Sequence, residues 1–417
     1  MLKIFSRSNL FIFLFSTLVS LILLKILQDP NLWYKIFKFL NVPAGGLDVA
    51  DARSIEMYSE LFFKNGFVGL DAVDVWNRKF SSMSFIWLKL SIFFKLNNPI
   101  NFYIFIFLSF NFYIFSILKI ATINKNIIDF ITIILAFLST SSLYLIERGN
   151  FDLIIFFLIT LLVFIKNIRY KTFLIIILSF LKINLIYLFI ILIKNLKLFF
   201  YYFIIATIIL VINYRYIFSG YNDIGTAADM IHYGLFTIVK SLVFYSNLIF
   251  KLDIDINYYT QIISFIFLFF TIIIILFFLV KKIDYTKVKI KKLCLDFTLN
   301  EELFIAGSIF YIFSFLVFSA PDYKLVFLIF TLPFFLENKS FYIGEILLTL
   351  VVLNSCLFEV FSIYNNIFNG LHILPVDTKY NLRYFIFGVL VHSLKIFLFI
   401  RLIFITSYIY NKKFFKN

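Results

Sequence analysis

Apolar runs long enough to cross a bilayer recur along the whole 417-residue chain, separated by short polar segments. In lipid a backbone N–H or C=O finds no water, so a spanning segment must satisfy its own hydrogen bonds. That leaves helices, each needing about 20 apolar residues. The runs fall at 10–28, 100–121, 127–146, 151–166, 198–217, 258–280, 301–318, 325–336, 340–360 and 384–407. The expected fold is all-α: a polytopic transmembrane helical bundle of about 10–12 spans, forming a single integral-membrane unit over residues 1–417.

Composition excludes the soluble alternatives. Hydrophobic residues make up 62% and charged residues 15%, against about a quarter charged in soluble domains, and the mean hydropathy is +0.99. The 62 Phe accompany abundant Ile, Lys, Asn and Tyr, the residues that AT-rich codons supply, so the aromatic content reads as bias and not as a base-stacking platform. The net charge of +15 sits in short loops and tails, as the positive-inside rule requires, so no nucleic-acid partner is expected. Cys294 and Cys356 provide no disulfide framework, and His232, His372 and His392 lack ligand spacing, so neither a metal nor another cofactor is expected.

Loop charge orients the spans. Lys166-Asn-Ile-Arg169-Tyr-Lys171, Lys194-Asn-Leu-Lys197, Lys281 to Lys292 and Lys412-Lys413-Phe-Phe-Lys416 mark the cytoplasmic side of the cytoplasmic (inner) membrane and put both termini there. The run Leu10 to Leu27 reads as a retained signal anchor, because Lys25-Ile-Leu-Gln-Asp29-Pro offers no small-residue cleavage site. Residues 172–193 lie between two basic loops and therefore read as a hairpin of short helices turning at Lys182-Ile-Asn184. Such a turn either lines a cavity or is simply buried in protein. Polar segments at 29–99, 146–152, 218–257, 319–324 and 364–383 then face outward. Within 29–99, Ser54 to Lys64 and Met83 to Lys95 suit helices lying in the interface, as does Ala227 to Phe250 in the third segment.

Polar residues stranded at span ends are where chemistry must reside in such a chain. The first group is Gly-Gly-Leu-Asp48-Val-Ala-Asp51-Ala-Arg53, followed by Glu56, Gly66, Asp71, Asp74, Trp76, Asn77 and Arg78. A carboxylate there can serve as general base toward an acceptor hydroxyl while an arginine holds an anion; an ordinary solvated loop would also carry such residues. The second is Glu147-Arg148-Gly149-Asn150-Phe-Asp152, where Gly149 permits a tight turn and Arg148 offers a fork to phosphate; snorkelling charges at a helix-helix turn are the plainer alternative. The third is Pro321-Asp322-Tyr323-Lys324, in which Asp322 could orient Lys324, or in which Tyr and Lys act only as interfacial anchors.

In this order the three groups resemble the integral-membrane glycosyltransferases of the GT-C class, specifically glycosyltransferase family 87. Asp51 precedes Gly66, Asp74-Val-Trp76-Asn77-Arg78 precedes Trp87, Arg148-Gly149-Asn150 opens a span, and Asp322-Tyr323-Lys324-Leu-Val-Phe-Leu leads to Leu332-Pro333. Two departures stand out: Ser82-Met83-Ser84 replaces the family's Tyr-Pro, and Lys324 stands where arginine is usual. The resemblance implies transfer of a hexose from a polyprenyl-phosphate-linked donor, arriving through membrane lipid, to a glycan or glycolipid acceptor at the outer face, without metal or cofactor. It implies Asp51 as base with Asp48 as the alternative, Arg148, Lys324, Arg78 and Arg53 at the donor phosphate, and Glu147, Gly149, Asn150, Asp152, Asp74, Trp76, Asp322 and Tyr323 shaping the site. Competing readings are an O-antigen or capsule polymerase, and a lipid-linked glycan flippase or transporter. The latter requires ionisable residues near the bilayer midplane, where only Lys182 and Lys395 are candidates and Lys395 is expected to snorkel.

Overall fold

The computed structural model describes residues 7–42, 48–66, 85–192, 297–317, 320–358 and 382–415, with a few further single positions. Among these the chain is helical throughout, except for one two-residue antiparallel pairing. Four helices are long and apolar enough to cross a membrane, or five if a bent pair counts as one span. Lipid-matched surface accompanies them: Phe11 is 70% and Phe341 83% exposed, a burden that water would not tolerate across whole helix faces. The described chain is an all-α bundle with four or five apolar helices of membrane-spanning length.

Helix α1 (Arg7–Leu27) lies along α5 (Pro99–Ala121). Van der Waals packing has no hydrophobic gain over lipid, so small and polar residues supply the specificity. Ser16 Oγ donates to Asn111 Oδ1 (2.7 Å) and Asn111 Nδ2 donates to Thr17 Oγ1 (3.0 Å).

Among the described residues between α1 and α5 are three short helices. Helix α2 (Pro30–Phe39) begins with proline at its first position and is capped by Asp29, which accepts from the N–H groups of Asn31 and Leu32; it buries Trp33 and Phe37. This helix lies in a stretch the sequence reading left as plain loop. Helices do occupy both stretches of the loop that are expected to be helical, α3 (Ala50–Asn65) and α4 (Phe85–Phe93), and the two pack on one another.

The run at 127–146 is broken. Helix α6 (Ile127–Phe137) and helix α7 (Thr140–Arg148) meet at a 49° bend. Ser139-Thr140-Ser141-Ser142 supplies the cause, since hydroxyls compete for the backbone groups of a helix. Ser139 caps α7, and the freed Thr140 N–H donates to Asn354 Oδ1 at 3.1 Å.

Helices α8 (Asp152–Phe164) and α9 (Ile168–Leu181) form an antiparallel pair of 13 and 14 residues. At 1.5 Å per residue both are about 20 Å long, so Asp152 and Lys182 meet at one level. At Lys182 the backbone turns extended (φ −152°, ψ 111°), and a 3-10 helix, Ile183–Leu192, packs back against α9.

Helix α10 (Leu299–Val317) is the centre of the second half. It contacts both 3-10 segments, Ile183–Leu192 and Asp322–Thr331, together with α8, helix α11 (Leu332–Glu337) and helix α13 (Leu382–Phe415). Close approach of Asp322–Thr331 depends on Gly307, where an added Cβ would stand 2.7 Å from the Phe327 carbonyl oxygen. The phenylalanines fill this interior, Phe156 stacking on Phe330 (4.3 Å between ring centres) and Phe310 on Phe327 (3.8 Å). Helix α12 (Lys339–Leu353) completes the packing against α13.

One end of the bundle is closed by polar links between helix ends. Lys119 meets Asn9 (2.6 Å), Lys171 meets Glu302 (2.5 Å), Lys413 meets Glu301 (2.9 Å) and Asn300 meets Glu337 (2.7 Å). These are the ends that carry the basic segments expected on the cytoplasmic side. Among the described residues, Arg148, Asp152, Lys182 and Asp322 lie at or just beyond the opposite ends of the helices.

Candidate functional site

Two left-handed backbone turns lock the first and second polar groups together. Gly149 closes α7 at φ +58°, and Val49, just before α3, stands at φ +42°. Left-handed geometry is costly for a β-branched residue and marks strain held by its surroundings. Val49 is fully buried, its N–H donates to the Glu147 carbonyl oxygen at 3.1 Å, and its side chain rests on Gly149, where an added Cβ would lie 2.6 Å from Val49 Cβ. Glycine at 149 is required by conformation and by space alike.

This lock places Asp51, in the first turn of α3, against the end of α7. Arg148 donates to Asp51 Oδ1 at 2.5 Å across 97 residues of sequence, and Asn150 Nδ2 donates to Oδ2 at 2.6 Å. Asn150 Oδ1 in turn accepts from the Asp152 N–H at 2.9 Å, tying the cluster to the start of α8. Asp51 is only 3% exposed. An ionised carboxylate at that depth needs its cation and hydrogen-bond donors.

A second ion pair adjoins the first. Lys182, at the break after α9, donates to both oxygens of Asp152, 2.6 Å to Oδ2, and lies 5.7 Å from the centre of the Phe310 ring. Asp152 is buried, and as the first residue of α8 it also faces the positive end of that helix. Lys324 belongs to the same field. It is half-buried, makes no ion pair with any described residue, and lies within electrostatic reach of Lys182, Asp152 and Asp51. It precedes the apolar stretch 325–336 and lies outside the candidate spans. Burial, followed by repulsion from Lys182, lowers its ammonium to about 8 despite the two carboxylates. Five ionisable groups from five elements therefore lie near one another, three cationic and two anionic, with the buried Glu147 beside Arg148 as a further carboxylate.

Other expected residues have different partners. Arg53 bridges Asp48 (2.8 Å) and Glu56 (2.9 Å) and stacks 4.5 Å from the centre of the Phe102 ring. Burial pulls its pKa down, but hydrogen bonds to those carboxylates more than offset this and raise it. Arg53 is thus engaged by acids on its own segment, and Asp48, the alternative base, is engaged by Arg53.

Asp322 does not orient Lys324. Its carboxylate accepts from Lys395 Nζ on α13 (2.8 Å to each oxygen) and from Ser355 Oγ, all three residues being buried. Lys395 accordingly does not snorkel; with a buried acid facing it, staying inside is cheaper than reaching for water. Glu147 is buried and contributes its carbonyl to Val49. Trp87, from α4, stacks on Phe151 at 4.7 Å, beside Asn150. Arg78, Asp74, Trp76 and the side chain of Tyr323 lie outside the described residues.

The sequence points to Asp51, Arg148, Asn150, Asp152 and Lys324; it places Lys182 at a hairpin turn and among the midplane charges a transporter would need, but not beside Asp152. Its signal was a lone lysine in an otherwise uncharged run, opposite a lone aspartate on a neighbouring helix of matching length. Among the described residues no group of three or more His, Cys, Asp or Glu could hold a metal ion. Set against protein-family models, curated proteins and solved structures, the chain has no match in any of them.

Proposed function

We propose that this protein transfers a hexose from a polyprenyl-phosphate donor to a lipid-linked or surface glycan acceptor at the outer face of the cytoplasmic membrane, as its resemblance to GT-C glycosyltransferases implies. The observation that carries the reading is the meeting of Asp51 with Arg148 and Asn150, beside Lys182 and Lys324, at the bundle end opposite the basic loops. A carboxylate amid cations is what inverting transfer from a phosphate donor needs. The acceptor hydroxyl gives its proton to Asp51 as its oxygen bonds to the anomeric carbon. On the far side the anomeric carbon–oxygen bond breaks, and the electron pair leaves on the phosphate, whose charge the cations stabilise. The donor enters sideways from lipid, so no nucleotide-binding domain is called for.

Arg148→Ala and Asp51→Asn test this pair by kinetics in native membranes. The reading expects Asp51→Asn to lose turnover with the protein still inserted, and Arg148→Ala to lose both donor affinity and rate. Normal glycan from Asp51→Asn would remove it as the base.

One observation favours a second reading, a lipid-linked glycan flippase: the buried Asp322–Lys395 pair inside the bundle, because intramembrane ion pairs mark transport pathways. Flux that vanishes in Lys182→Met, from a wild type unable to transfer sugar, would select it.

A further inference from the structure

We propose that Lys182 and Lys324 form the seat for the phosphate of a lipid-linked ligand, while Arg148 serves to hold and orient Asp51. This rests on the functional reading above and reassigns its cations. Arg148 already spends a guanidinium nitrogen on Asp51 Oδ1 at 2.5 Å, and pulling it toward a phosphate would leave a 3%-exposed carboxylate without its cation.

The two lysines are differently placed. Lys182 is fixed by Asp152, which takes it through both oxygens, yet its side chain keeps 18% exposure. Lys324 makes no ion pair with a described residue, and its segment comes close to Lys182 through two rings: Lys182 lies 5.7 Å from the centre of the Phe310 ring, which stacks at 3.8 Å on Phe327 of the Asp322–Thr331 segment, and the two ammonium groups repel one another. Two like charges brought together under partial burial are stabilised when an anion settles between them. The site is set by the break after α9 and the start of the Asp322–Thr331 segment, both packed on α10, so its two halves share one support.

The test is binding of farnesyl phosphate, without any sugar, to the full-length protein in phosphatidylcholine nanodiscs. A hydrogen bond to a charged group contributes about 1.5–3 kcal/mol, so Lys324→Gln and Lys182→Gln should each weaken binding by about 10-fold or more. The double variant Lys182→Gln/Asp152→Asn removes both charges of the buried pair, so it avoids a stranded carboxylate and should fold and still bind poorly. Lys64→Gln, altering an exposed lysine paired only with Glu60, should bind like wild type. Farnesol should not bind competitively, and inorganic phosphate should compete only weakly. Unchanged binding in both lysine variants would overturn the seat, as would inorganic phosphate competing equally with farnesyl phosphate. Lysine-dependent binding with no sugar transfer would keep the seat and reject the glycosyltransferase reading. Sugar transfer with normal donor KM in both variants would do the reverse.

Discussion

Gly149→Ala attacks the strained lock directly. The new side chain would sit at φ +58°, a conformation that costs a residue with a Cβ about 1–2 kcal/mol. Its Cβ would also lie 2.6 Å from Val49 Cβ and 2.9 Å from Val49 Cγ1, and overpacking of this kind costs about 1–3 kcal/mol. The expected destabilisation is about 2–5 kcal/mol by summing the two. Val49→Gly separates the contributions. By itself it loses a buried valine, about 1.5–3 kcal/mol, while relieving the strain at φ +42°. In the Gly149→Ala/Val49→Gly double variant the clash is gone although the positive φ remains. Chemical denaturation of the four proteins in one mild detergent gives the cycle. A favourable coupling of about 1–3 kcal/mol is expected; additivity within about 0.5 kcal/mol would refute the reasoning, because the two residues would then not be in contact. Sugar transfer should fall in Gly149→Ala and partly return in the double variant, since the lock positions Asp51.

The buried Asp322–Lys395 pair should behave asymmetrically: Lys395→Met strands a carboxylate and should cost about 3–5 kcal/mol, whereas Asp322→Leu/Lys395→Met should be near neutral, which melting curves of the two variants would show. Lys324 sets a pH dependence. Its pKa of about 8 lies below that of a free lysine, so anion binding should be strongest below pH 8 and decline as pH rises through that value, with the dependence absent in Lys324→Gln. The sign for folding is opposite, because between about 8 and the unfolded value near 10.4 the unfolded chain binds more protons; stability contributed at this site should rise over that interval, and a fall there would contradict the burial of Lys324. Asn354→Ala should loosen the bend between α6 and α7 by leaving the Thr140 N–H without its acceptor, at about 1 kcal/mol, measurable as faster amide exchange at Thr140.

How much of this was legible in the sequence depended on the kind of interaction. Spans such as α1, α5 and α10 follow from apolar length, since lipid permits only that solution. Asp51 and Arg148-Gly149-Asn150 were found because a polar residue beside a long apolar run is conspicuous. That the two meet was not readable, because the contact crosses 97 residues and depends on how α3 folds over the end of α7. The bend at Ser139 carried a local signal, four consecutive hydroxyl residues, that apolar length alone overrode. Lys395 was misjudged because an apolar helix with one lysine has the same pattern whether the lysine reaches water or meets a buried acid; only the fold, which sets Lys395 on Asp322, decides. Helix α2 was missed although Asp29-Pro30 is a capping signal, since its short run lies in a loop read as outer and polar.

The central claim is tested most directly by following radiolabelled sugar from polyprenyl-phosphate hexose into lipid-extractable or surface glycan, in membranes carrying wild type or Asp51→Asn at equal abundance. Incorporation by wild type and none by Asp51→Asn is the expected result. Equal incorporation by both, or none by wild type across several donor sugars, would contradict it.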